Sequence, residues 1–302
     1  MGNQVEYTKP PLTFETQADL LLSRGLKSDR DLLIRRLKTV NYYRLSAYLY
    51  PFRGIDGETF RENTSFDLIW KHYTFDRQLR LIVMDAIERV EIAVRTQLIY
   101  HFSHHHGAFG YTDSRNLPKL DNVRFQIWLG DMKEETKRSR ETFIDHFYTK
   151  YGDSHELPPL WMLGEVMSFG KMLTLFNGVT DDLCRVIARE YGIEDKILQS
   201  WLGALNVIRN ICAHHGRLWN RELGFKPMIP RRNKHPQWYV PVEVKNNRLF
   251  GILTILEYMR KQVAPTSGWC MRLKDLFLRY PEIPLRLMGF PQNWEQSSIW
   301  RG

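Results

Sequence analysis

The stretch RNICAHHGRLWNR places Arg209 and His214 five positions apart, with Asn210 beside the arginine and His215 and Arg217 just beyond the histidine. Histidine moves protons near neutral pH. Arginine presents a permanently charged fork of donors matched to phosphate oxygens. At one phosphodiester the two side chains supply what metal-free RNA cleavage needs: a proton carrier, and a cation facing the charge that develops on phosphorus. The expected reaction is attack of a ribose 2′-hydroxyl on the adjacent phosphate, giving a cyclic 2′,3′-phosphate and a free 5′-hydroxyl. DNA, without that hydroxyl, is excluded as a substrate. Asn210 is suited to orient the histidine or the phosphate, His215 and Arg217 are auxiliaries, and no cofactor is called for. The bland alternative is a helix-end histidine that does no more than face the C-terminal dipole.

These residues need a helix to carry them. Around an axis turning about 100° per residue, Ile197, Leu198, Trp201, Leu205, Ile208 and Cys212 form one apolar face. Asn206, Asn210 and His214 stand one turn apart on the opposite side, and Arg209 lies at the edge of the apolar stripe. Arg209 and His214 diverge by about 140° on such a helix, so a single copy aims them poorly at one phosphate.

Other clusters carry competing readings. Arg95 and His101 form a second arginine–histidine match. Glu91 lies one turn from Arg95, and an intrahelical ion pair or support for the active helix is the plainer role. His101, His104, His105 and His106 invite a metal, with His101 and His105 at helical spacing, but no third ligand accompanies them, and no metal is expected. Arg231, Arg232, Lys234 and His235, followed by Trp238 and Tyr239, suggest a surface that grips single-stranded RNA through phosphates and stacked bases, against the alternative of a solvated loop with packed aromatics. P-loop, dinucleotide, zinc-protease and nucleophile-elbow patterns are absent.

The elements that must position these residues read as helices throughout. Apolar residues recur at three and four positions. Thr13 and Ser28 are candidate helix caps, and residues 1–64 form a helical lead-in. From Ser65 to His104 neither proline nor glycine interrupts, which predicts one long helix or two abutting ones closed by Gly107. A helix over about 123–150, an apolar one after Pro158-Pro159, and another from Thr180 to Gly192 precede the active helix. A Pro-rich irregular stretch, a helix from Arg248, and a tail wrapping the surface complete the expected core, residues 65–302.

The 302 residues, 43% hydrophobic, suffice for an ordinary core. The excess of 43 Lys and Arg over 34 Asp and Glu, a net charge of +9, favours a polyanionic partner. Three cysteines without a paired motif suit reduced thiols. With no leader-like start and no apolar run long enough for a bilayer, a cytoplasmic protein without a membrane partner is expected.

The string around Arg209 and His214 is similar to the Arg-x4-6-His signature of HEPN ribonucleases. The chain as a whole resembles the Abi family of bacterial abortive-infection proteins, of the AbiD and AbiF kind. The likeness runs through Tyr7 to Gln17, Asn41 to Tyr48, Ile87 to Thr96, Pro158 to Gly170 and Met288 to Trp294. It implies a HEPN-type helical bundle with an irregular C-terminal extension, and a pair of motifs meeting at a two-fold axis. One good copy in this chain then means a homodimer. It further implies a toxin that cleaves RNA in phage defence and arrests host translation, restrained by an antitoxin or a small regulatory RNA. The rival is a non-catalytic RNA-binding module in which the same arginine and histidine only hold phosphate.

Overall fold

Twelve α-helices, with short 3-10 turns between them, account for the secondary structure in a computed structural model of the chain, which describes Thr8 and residues 10–301. Among the described residues strand pairing is confined to three isolated bridges, and the fold is all-α as expected. Residues 1–7, on which the leader reading and the start of the Tyr7 element rest, lie outside the described residues, as do Lys9 and Gly302.

Two compact units emerge. The first takes the described residues up to Leu79 together with Leu276–Ile283. Here α1 (Phe14–Ser23), α2 (Arg30–Thr39) and α3 (Tyr42–Leu49) enclose Ala18, Leu21, Leu33, Leu37, Leu45 and Leu49 with the start of α4 (Phe66–His106). Thr13 caps α1, its hydroxyl accepting the Thr16 N–H. The cap of α2 is Asp29, whose carboxylate accepts the Leu32 N–H at 2.7 Å, and not Ser28. Lys27 is held in a bridge with Ser65, so the chain turns into the helix one residue later. Tyr48 donates to the fully buried Asp76 at 2.6 Å, which satisfies one oxygen of a carboxylate that burial would otherwise penalise.

The second unit comprises Arg80–Asp275 and Pro284–Gly302. Its spine is the part of α4, a single helix of 41 residues, that runs from Arg80 to His106. Val83, Ala86, Ile87, Val90, Val94, Leu98 and Phe102 keep helical spacing and are all buried. Gly107, at φ +77°, closes it, its N–H bonding back to Ser103 O.

Two expected helices are each divided. Residues 123–150 form α5 (Asn122–Arg138) and α6 (Thr142–Tyr151). Ser139 is extended between them, and its hydroxyl accepts the Glu141 N–H, a local bond that competes with helix continuation. The apolar run after Pro159 forms α7 (Leu160–Val166) and α8 (Phe169–Gly178), parted at Met167 and Ser168. The break lets α7 pack on α5 while α8 packs on α10 (Asp195–Ala213), directions one straight helix would not satisfy. Between them α9 (Asp181–Arg189) is capped by Thr180.

The carboxyl end departs furthest from expectation. After α11 (Leu249–Val263), a helix the sequence reading omitted, α12 (Trp269–Arg279), precedes turns that enter the core and do not wrap the surface. Trp269, Met288 and Trp300 are buried, and the Trp300 indole donates to Thr254 at 3.0 Å. Aromatic area outweighs the turn-forming prolines that suggested a surface tail.

Candidate active site

The apolar face assigned to α10 is buried at every position: Ile197, Leu198, Trp201, Leu205, Ile208 and Cys212. Trp201 extends beyond the helix, its indole donating to Met228 O at 2.8 Å, while Ser200 accepts the Met228 N–H at 2.9 Å. The irregular segment after the helix is thereby pinned along it. Asn210 and His214 are exposed, Asn206 and Arg209 half-buried. The polar row is as expected, and α10 is continuous to Ala213, so Arg209 and His214 still start about 140° apart around its axis.

Arg209 extends towards its neighbour, Nη1 donating to Asn210 Oδ1 at 3.4 Å. Behind it on α4, Glu91 accepts a hydrogen bond from Arg95 in an ion pair with each side chain 14% exposed. Burial pushes the Glu91 carboxyl above the usual carboxylate range, and the charges of Arg95 and Arg209 pull it back. Glu91 is therefore shared electrostatically by an arginine on its own helix and by the arginine of the motif. In the Arg95 and His101 match, Arg95 makes the intrahelical ion pair with Glu91 that the sequence spacing suggests, and His101 packs edge-on against Tyr100.

The motif's histidine end has a defined geometry. His214 is the C-cap residue, its N–H bonded to Asn210 O. His215 follows at φ +57°, in the left-handed region that glycine usually fills. Its N–H bonds to Cys212 O at 2.9 Å, and the Gly216 N–H reaches back to Ile211 O at 2.7 Å, the two bonds of a Schellman turn. The glycine stands one position later than the left-handed residue because a Cβ at Gly216 would lie 3.2 Å from Ile211 O and 3.0 Å from its methyl. From α4, Arg80 donates to Gly216 O at 3.3 Å. Arg217 is half-buried, and its carbonyl accepts from Arg221.

The basic loop separates into parts. Arg231 is exposed, and Arg232 is exposed with its guanidinium 5.7 Å from the Tyr239 ring centre. Lys234 is bound to Glu194 at 2.9 Å, with His235 at 3.6 Å from the same carboxylate. Lys234 holds the Glu194 carboxyl below the ordinary range. Trp238 is fully buried, 5.2 Å from Trp201 and 5.6 Å from Tyr258 between ring centres. The expectation that it stacks on an RNA base is corrected: its ring is fully buried, packed at a tilt against Trp201 and Tyr258 inside the protein.

Among the described residues no three His, Cys, Asp or Glu side chains converge as a metal site would require, and no helix is long and apolar enough to cross a membrane. The sequence reading missed Arg80 and the role of Glu194. The signal for Arg80 was available, because Asp76 and Arg80 interrupt the same buried stripe as Val83 and Ile87, and a charge there has a structural partner or a function.

No curated protein and no solved structure matches the chain. The model of the Abi-like protein family matches residues 35–220, from α2 through the turn that carries His214 and His215. The match supports a role in abortive infection, a bacterial defence against phage. With most of its length matched, including α4, α10 and the turn that ends it, the chain belongs to the Abi-like protein family.

Proposed function

We propose that the protein is a HEPN-type, metal-independent endoribonuclease that acts in the cytoplasm as a toxin, arresting host translation during phage infection. The observation that carries this reading is the construction of α10: Asn210 and His214 exposed one turn apart, Arg209 beside them and backed by the Glu91–Arg95 pair, and the histidine end closed by a hydrogen-bonded turn. The 2′-oxygen attacks phosphorus, the bond to the 5′-oxygen breaks, and that oxygen leaves with a proton. His214 handles the protons, Arg209 faces the charge on the phosphorane oxygens, and Asn210 orients the pair. The angular divergence of Arg209 and His214 favours a homodimer in which two α10 helices face one another. Arg231 and Arg232, together with Lys234 if it leaves Glu194, add phosphate contacts outside the chemistry. His215 and Arg217 flank the site, and an antitoxin or a small RNA restrains the enzyme.

The test is incubation of pure protein with total RNA in EDTA, with end-group analysis of the products. Cyclic phosphate and 5′-hydroxyl ends, lost in His214→Ala and in Arg209→Ala, are expected. RNA bound but uncut would return the chain to the rival, a non-catalytic RNA-binding module.

A further inference from the structure

A groove of about 680 Å³ lies on the exposed side of α4 where α7 crosses it, within the range of small-ligand sites. Ile92, Tyr100 and Ser103 of α4 line one side, Trp161 and Glu165 of α7 the other, and Arg95 contributes to its wall. The crossing is close: a Cβ on Gly164 would lie 2.1 Å from Ile99 Cδ1 and 3.9 Å from Arg95 Cδ, so the glycine lets α7 rest on α4. From Ile92 to Ser103 the groove follows eleven steps of helix, about 16 Å at 1.5 Å per step. That is longer than one nucleoside.

Three features distinguish this groove from an ordinary apolar patch. First, its aromatic side chains are open: Tyr100 is 55% and Trp161 50% exposed, and Tyr100 has His104 at 4.1 Å between ring centres. Second, two polar atoms of its lining, Arg95 Nε and Ser103 Oγ, are buried without a hydrogen-bond partner among the described residues, an arrangement that calls for an explanation in a native fold. Third, the groove adjoins the candidate active site through Arg95, because Glu91, the partner of Arg95, also feels the charge of Arg209.

We infer that this groove binds single-stranded RNA next to the scissile phosphate, with bases stacked on Trp161 and Tyr100 and the backbone approaching Arg95. The inference rests on the proposal that the protein acts on RNA. Flat, exposed rings in a groove whose lining also carries Arg95, Ser103 and Glu165 suit a nucleobase, which has a π face and hydrogen-bonding edges. An apolar helix from a second copy would cover the rings and leave the exposed Glu165 carboxylate facing hydrocarbon, a desolvation penalty without compensation. The net charge of +9 also favours the polyanion.

The test uses the full chain and a fluorescein-labelled 2′-O-methyl oligonucleotide, which lacks the attacking hydroxyl and stays intact. Fluorescence anisotropy gives Kd, sedimentation gives the oligomeric state, and a separate assay measures cleavage of unmodified RNA. Trp161→Ala and Tyr100→Ala should each weaken binding by about five- to 100-fold, the effect of one stacked base, while Trp161→Phe stays within about threefold of the wild type. Thr96→Glu, a helix-compatible change at an exposed position in the groove, should weaken binding as well and covers the case in which an alanine variant fails to fold. Wild-type affinity in folded Trp161→Ala and Thr96→Glu would overturn the inference. So would a loss of self-association with RNA binding intact, which would give the groove to a second copy. Groove variants that bind poorly in a protein that never cuts RNA would leave the groove standing and remove the nuclease reading. Cleavage with groove variants binding normally would do the reverse.

Discussion

Trp238→Ala decides whether the basic loop is a stacking platform or a structural plug. The indole is fully buried against Trp201 and Tyr258. An aromatic side chain of this kind removes roughly 200 Å² from water, about 5 kcal/mol at 25 cal/mol per Å². The unfolded chain already hides part of that area, and buried Trp→Ala changes cost about 3–5 kcal/mol. One correction works against the plug: Nε1 is buried with no hydrogen-bond partner among the described residues, a penalty of about 1–3 kcal/mol that the folded state already bears. Trp238→Phe sheds that penalty while keeping most of the area, so it should cost under about 1.5 kcal/mol. Urea unfolding of the two variants, followed by far-ultraviolet circular dichroism, gives both values from the midpoints at a common slope. RNA affinity measured well below the unfolding transition should be unchanged in Trp238→Phe. If Trp238→Ala lost under 1 kcal/mol of stability while RNA affinity fell tenfold, the buried position and the argument built on it would both be wrong.

Three further outcomes follow from the geometry. Gly251→Ala should destabilise far more than Gly164→Ala, because its Cβ would meet the Lys245 carbonyl at 2.6 Å while that of Gly164 meets the movable end of Ile99; about 3 kcal/mol or more against about 1 is expected from thermal melting. His72, 2% exposed and donating from Nδ1 to Leu68 O at 2.8 Å, is held below the ordinary histidine range by burial. The unfolded chain then binds the extra proton first, so stability is full above about pH 6.5 and falls as pH drops below it; His72→Phe should reduce the slope of the urea midpoint between about pH 7 and 5, and an unchanged slope would refute it. Replacing Arg231 and Arg232 together by Glu should weaken RNA binding and lower the slope of log Kd against log salt by about two, whereas Lys234→Ala, whose ammonium is held by Glu194, should change it less.

The helix α10, which carries Arg209, was legible because its pattern is doubly constrained. Six apolar residues at helical spacing fix which face of α10 is buried, and that alone assigns Asn206, Asn210 and His214 to the other. The long α4 was legible for the same reason, with no proline or glycine between Ser65 and Gly107. Breaks without punctuation were not legible: the chain leaves the helix at Ser139 and at Met167–Ser168, where the cause is what the following helix packs against. Trp238 shows a further limit. Arginine and lysine beside an aromatic residue are the same letters whether the ring faces solvent or fills a hole beside Trp201, and only long-range packing separates the two. The brace from Arg80 to Gly216 O joins residues 136 positions apart, a distance over which periodicity carries no information.

The clasp of Arg80 on Gly216 bears on motion at the end of α10. Helix ends are ordinarily the first segments to open, with local free energies near zero, and a histidine at such an end samples many orientations. Here the amides of His214, His215 and Gly216 are all bonded inward, and the last carbonyl of the turn is held from a second helix. Amide hydrogens in this turn should therefore exchange with solvent on the slow timescale of the helical core and not on the fast timescale of a frayed end. The ordering entropy of the turn is then met when the protein folds and not each time it engages a ligand, which keeps His214 on a fixed backbone up to the temperature at which the core itself melts.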